Sequence, residues 1–166
     1  KLLHQMSSTV ERATSSTTGH NYMAKVGTKL YASDDETLYY SNDGGDTWSP
    51  QGENLTAGYK ITGLAAHGTD LYITANNGSA GEIELLPDGG SSSQKMSAAI
   101  YDKIWAVKGQ FLVSIGNAIH SYNGDTTVGS AIVTLPTGQT FTDVCDAGAV
   151  VLATGTDGYI YSIKDV

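Results

Sequence analysis

A glycine followed by a short apolar stretch returns four times along this chain. Gly27 opens GTKLYAS, Gly68 opens GTDLYIT, Gly109 opens GQFLVSI and Gly148 opens GAVVLAT, at intervals of 41, 41 and 39 residues. A fixed period of this size, sustained across 166 residues, marks a stacked or radial repeat in which no unit buries its apolar face alone. Before each glycine lies a strand-like stretch (NYMAKV, ITGLAAH, KIWAVK, FTDVCDA), and after it come the apolar strand and a further one (TLYYS, EIELL, NAIHSY, GYIYSI).

Three strands and a more polar fourth segment per unit are the make-up of a propeller blade, whose outermost strand is the most solvated. The fold expected is therefore all-β: one β-propeller domain over 1–166, with about four blades of four antiparallel strands. The units fall near 20–60, 61–103, 104–140 and 141–166, with weak fourth strands around 49–55, 91–97 and 130–135. The last unit stops before a fourth strand of its own, and counting back from Gly27 places a candidate closing outer strand at 9–14, TVERAT. That strand would close the ring and cover an exposed sheet edge. A start at Lys1 leaves open a processed start, a trimmed chain or an excerpt of a longer propeller. A solenoid of hairpins is the structural alternative.

Charge narrows the partners. Nine Lys and Arg against 17 Asp and Glu give a formal charge of -8, so the surface repels phosphate backbones, and no nucleic-acid partner is expected. No apolar run approaches the roughly 20 residues of a membrane span, so no membrane insertion is expected, and the opening residues lack the apolar core of a signal peptide. Cys145 is the single cysteine and sits in an expected inner strand, where a small apolar side chain is the ordinary role.

Residues 41–48 read SNDGGDTW, in which Ser41, Asp43, Gly45, Thr47 and Trp48 match every defined position of the Asp-box (BNR-repeat) signature. The chain thereby resembles the Asp-box β-propellers, in which this hairpin joins the third and fourth strands of a blade, and the repeat places the match at that turn. The expected work is structural: Asp43 accepts backbone N–H groups, Gly45 permits a positive φ, and Trp48 packs over the hairpin. A degenerate copy stands at 121–127 (SYNGDTT), and PDGG at 87–90 occupies the same place in the second unit. A fainter resemblance links the third and fourth units to propeller segments of bacteriophage minor tail proteins.

The sialidases among the proteins it resembles clamp a carboxylate with three arginines, and this chain has only Arg12, so no sialidase-type triad can form. Asp34, Asp35, Glu36, Glu82, Glu84, Asp102 and Asp143 are hydrolytic candidates by residue type alone, and solvated turn or strand-end roles are expected for most. His4, His20, His67 and His120 lack the spacing of a zinc motif, no full calcium loop is present, and no metal or other cofactor is expected. Asn54 and Asn77 fit the glycosylation sequon, which matters only for a secreted eukaryotic chain. Tyr59 and Tyr101, in connections between units, are the candidate ligand contacts. The resulting expectation is a non-enzymatic structural or adhesion module of a phage tail or other extracellular assembly. Its partners would be neighbouring protein subunits or surface glycan, its place extracellular or the virion, and the alternative a glycan-binding propeller.

Overall fold

The computed structural model describes residues 21–52, 54–90 and 94–164. Blade 1 holds β1 (Tyr22–Val26), β2 (Lys29–Ser33), β3 (Leu38–Ser41) and β4 (Ser49–Pro50). Blade 2 holds β5 (Lys60–His67), β6 (Asp70–Asn76), β7 (Gly81–Leu86) and β8 (Gln94–Ser97). Blade 3 holds β9 (Lys103–Val107), β10 (Gln110–Ile115), β11 (Ala118–Tyr122) and β12 (Val128–Thr134), and blade 4 holds β13 (Phe141–Asp146), β14 (Val151–Gly155) and β15 (Ile160–Ile163). In each sheet the strands pair antiparallel in chain order. The chain is a four-blade β-propeller. The candidate closing strand at 9–14 lies outside the described residues.

The repeat glycines sit in the first hairpin of each blade, where φ is positive: 58° at Gly27, 62° at Gly68, 72° at Gly109 and 80° at Gly148. Tight two-residue hairpins need such angles because their twist matches that of the strands. The register slips in the later blades: in blade 4 Gly148 is the second residue of a four-residue loop between Asp146 and Val151. Gly27 and Gly68 are the first loop residue after Val26 and His67, whereas in blade 3 Lys108 (φ 49°) precedes Gly109 in the loop.

Alternation along each strand sends side chains to both faces, and each inner blade buries both. Tyr31 and Leu38 meet Ile61, Leu71, Ile73 and Leu86 between blades 1 and 2. Tyr72 and Ile83 meet Ile104, Phe111 and Tyr122 between blades 2 and 3, and Leu112 and Ile119 meet Phe141 and Val151 between blades 3 and 4. β1 lies beside β5, β5 beside β9 and β9 beside β13, so the innermost strands gather about one axis, unlike those of a hairpin solenoid.

Gly63 marks how closely β5 approaches β9. A Cβ there would stand 2.9 Å from the Thr74 hydroxyl and 3.0 Å from the Ile104 backbone nitrogen, and the second of these cannot swing away. Gly63→Ala is expected to force the two blades apart and cost about 1–3 kcal/mol, the usual range for overpacking. Urea unfolding of the variant checks this, and an unchanged midpoint would show that the seam can relax.

Candidate functional site

In each blade the inner strand begins at the end where the second and third strands are joined, here called the upper end. The first and third hairpins, including residues 41–48, turn at the lower end. At the upper end the four inner strands enclose a cavity of about 300 Å³ lined by Met23, Leu64, Trp105, Lys103 and Asp143 among others. Its charges are engaged locally: Lys103 Nζ donates to the Thr142 carbonyl at 2.6 Å, and Asp143 Oδ1 accepts from Trp105 Nε1 at 3.2 Å and from the Val144 amide at 2.8 Å. Nearby, Asp35 takes Lys60 Nζ at 2.7 Å and Asn21 Nδ2 at 3.0 Å. The hydrogen bond and charge of Lys60 hold the Asp35 carboxyl below its usual range. The mouth thus mixes polar groups already engaged in local bonds with one exposed large apolar side chain, Met23, at 63 % exposure.

The other carboxylates named from sequence are dispersed over the blades. Asp34 Oδ1 accepts the amides of Glu36 and Thr37, Asp102 Oδ2 accepts the Gly116 amide, and Glu84 is buried in β7. Glu82, fully buried, ties Thr56 and Lys95 together. Among the described residues no three His, Cys, Asp or Glu side chains are grouped so as to hold a metal ion. His67 stands at the lower end, His120 Nδ1 lies 3.0 Å from the Gly129 carbonyl, and His4 and His20 fall outside the described residues.

The hairpin at 41–48 is knotted by its own side chains. Ser41 Oγ donates to Asp43 Oδ1 at 2.7 Å and accepts the Gly45 amide, while Asp43 accepts the Thr47 amide at 3.0 Å and the Thr47 hydroxyl at 2.5 Å. Those hydrogen bonds, Thr47 foremost, hold the Asp43 carboxyl far below the usual carboxylate range. Trp48 Nε1 closes the turn on the Gly45 carbonyl at 3.0 Å. The turns at 87–90 and 121–127 are closed from outside: Tyr31 Oη and Lys29 Nζ of blade 1 donate to the Gly89 carbonyl of blade 2, and Tyr72 Oη of blade 2 donates to the Gly124 carbonyl of blade 3. Tyr31 and Tyr72 each stand four residues after a repeat glycine, a signal the sequence reading passed over.

Of the two tyrosines expected to meet ligand, Tyr59 is half-buried in the connection between blades 1 and 2. Tyr101 requires a correction. It is 2 % exposed, its hydroxyl pairs with Ser97 Oγ at 2.6 Å, and its carbonyl receives Thr62 Oγ1 and Asn76 Nδ2, so it is packing between blades. Cys145 is corrected the other way: it lies in inner strand β13 as expected but is exposed, because its neighbour Val144 takes the face turned to blade 3.

A second cavity, absent from the sequence reading, opens at the lower end between blades 2 and 3, with a volume of about 570 Å³. Phe111 forms its wall, with ring centroids 4.3 Å from Tyr72, 5.0 Å from His67 and 6.0 Å from Tyr122. Gln110, Asn123 and Thr127 supply exposed polar groups at its rim.

No protein-family model and no curated protein matches the chain. Among solved structures it is similar to the computationally designed Ika4 protein, at 10% identity over 92% of this chain and 98% of that one, with a TM-score of 0.64. It is also similar to YCF48 bound to D1 peptide (14% identity, TM-score 0.62) and to a gluconolactonase from Xanthomonas campestris (15% identity, TM-score 0.59). Those two matches cover 89% and 82% of this chain but only 50% and 54% of theirs, so the chain spans about half their length. Likeness at such identities extends to the propeller fold alone, because one fold carries many unrelated functions.

Proposed function

We propose that this propeller is a non-enzymatic structural or adhesion module that meets neighbouring protein subunits through its upper end. One observation carries the reading. Met23, Tyr159 and Ile160, exposed by 63 %, 68 % and 70 %, all lie at that end, at the channel mouth and at the turn opening β15. Single exposed apolar side chains are ordinary, but their gathering on one end of a domain marks a contact surface. The employment of Asp34, Asp43, Glu82, Asp102 and Asp143 in local hydrogen bonds supports a scaffold over a hydrolase. The resemblance of residues 41–48 to Asp-box propellers, and of the later units to phage minor tail proteins, favours an extracellular or virion assembly.

A photo-reactive phenylalanine analogue in place of Ile160 is expected to cross-link a neighbouring protein in the native particle or cell surface. The same analogue in place of Lys164, exposed at the lower end, should stay free. Equal yields at both positions, or none at either, would overturn the upper end as the contact surface. Carbohydrate binding is the second reading, favoured by the aromatic cavity between blades 2 and 3.

A further inference from the structure

The cavity between blades 2 and 3 has the chemistry of a site for an uncharged sugar ring, an inference that rests on the carbohydrate-binding reading and gives it a place and a ligand class. We propose that one pyranose unit of a neutral glycan seats against the exposed His67 ring, in the corner that ring makes with Phe111, with its hydroxyls on Gln110, Asn123 and Thr127. A volume of about 570 Å³ falls within the roughly 300–1,000 Å³ of small-ligand pockets. A pyranose presents an apolar C–H face and a polar edge, and the cavity is built in the same two parts. The exposed His67 ring stands 5.0 Å from Phe111 at an interplanar angle of 53°, forming an aromatic corner, while the amide of Gln110 lies open at the rim.

The corner is set before any ligand arrives. Tyr72 Oη is held by the Gly124 carbonyl and Tyr122 Oη by the Asp125 carbonyl, and the Phe111 ring packs against both tyrosines. A site whose rings are fixed in advance loses little side-chain entropy on binding. Gly124 keeps the space open, since a Cβ there would stand 3.2 Å from Tyr72 Oη and 3.5 Å from the Phe111 ring.

Charge selects the class. No Lys, Arg, Asp or Glu is among the described residues lining the cavity, and the carboxylate in the adjoining turn, Asp125, accepts the Thr127 amide at 2.7 Å and stays ionised. A sialic acid or a nucleotide would bring an anion to a wall without a cation, on a chain of net charge -8. A wholly apolar ligand would strip water from Gln110 and Asn123 without replacing their hydrogen bonds.

Saturation-transfer NMR on the full chain tests the assignment with glucose, galactose, mannose and the two N-acetylhexosamines, and with N-acetylneuraminic acid as the anionic comparison. At least one neutral sugar is expected to show transfer, and N-acetylneuraminic acid none. His67→Ala combined with Gln110→Ala should weaken the binding at least tenfold while leaving the melting temperature in place, because both side chains are exposed. Binding that survives the double variant would overturn the site and leave the carbohydrate reading standing. Silence from every sugar would overturn both, and equal transfer to the anionic sugar would overturn the ligand class.

Discussion

Leu112→Ala is expected to lower the free energy of unfolding by about 3–4 kcal/mol, the middle of the range for burying a cavity in place of a leucine. Leu112 is fully buried in β10, and its side chain joins Ile119 to Phe141, Val144 and Val151 across the seam between blades 3 and 4. Alanine would leave a void on a strand hydrogen-bonded on both edges, to β9 and β11, so the backbone can collapse only slightly. For a chain of this length the loss corresponds to a fall of roughly 10 °C in melting temperature. Hydrogen exchange should locate it: amides of β13–β15 speed up more than those of β1 and β2, because the seam holding blade 4 is the one weakened. Ile160→Ala, at 70 % exposure, provides the contrast and should change stability by less than about 0.5 kcal/mol. A loss under about 1 kcal/mol for Leu112→Ala would mean that blade 4 does not depend on this packing.

That seam was legible because its signal is periodic. Leu112 belongs to GQFLVSI, and the glycine heading each such stretch is required by the hairpin's positive φ, so the repeat could be counted without knowing where any blade lay. The slip in blade 3 was not legible, since Lys108 adopts a left-handed φ that its residue type does not advertise. The hairpin at 41–48 could be read because its bonds close within eight residues, Ser41 to Asp43 and Asp43 to Thr47.

Contacts between units were hidden for the opposite reason. Tyr101 looked available in a connection, but its ring is buried with Ala65, Ile83 and Ile104, and its carbonyl is held by Thr62, 39 residues earlier in the chain. The lower cavity is built by Tyr72 and Phe111 from adjacent units, with Gly124 standing 52 residues beyond Tyr72. The same division runs through the function proposed here: local motifs stiffen the turns, whereas the surfaces left for partners arise where distant units meet.

Glu82 joins the two scales and makes the junction between blades 1 and 2 pH-dependent. Its side chain is wholly buried in β7, where it accepts the Thr56 amide and hydroxyl, each at 2.7 Å, and Lys95 Nζ at 2.6 Å. Thr56 lies in the connection from blade 1 to blade 2, so this carboxylate pins one blade to the next. Burial pushes the carboxyl up, but the hydrogen bonds from Lys95 and Thr56, with the charge of Lys95, outweigh it and leave the group below its ordinary value of 4.5. Glu82→Gln is therefore expected to cost about 2–3 kcal/mol at pH 7, from misplaced donors on Thr56 and a lost ion pair. The cost stays below that of a fully buried pair because Lys95, 48 % exposed, returns to water. A folded-state carboxyl lower than the unfolded one stabilises above the unfolded value and loses that stabilisation as pH falls through the folded value. The gap between wild type and Glu82→Gln should accordingly hold from neutral pH down to the ordinary value of 4.5 and shrink as pH falls below it. Urea midpoints of both proteins at pH 7 and pH 3.5 measure it, and the difference removes the shared contributions of Asp35, Asp43 and Asp125, whose carboxyls are also held low. A gap unchanged by pH would mean that the Glu82 site acts through shape, with the charge contributing nothing to the junction between the blades.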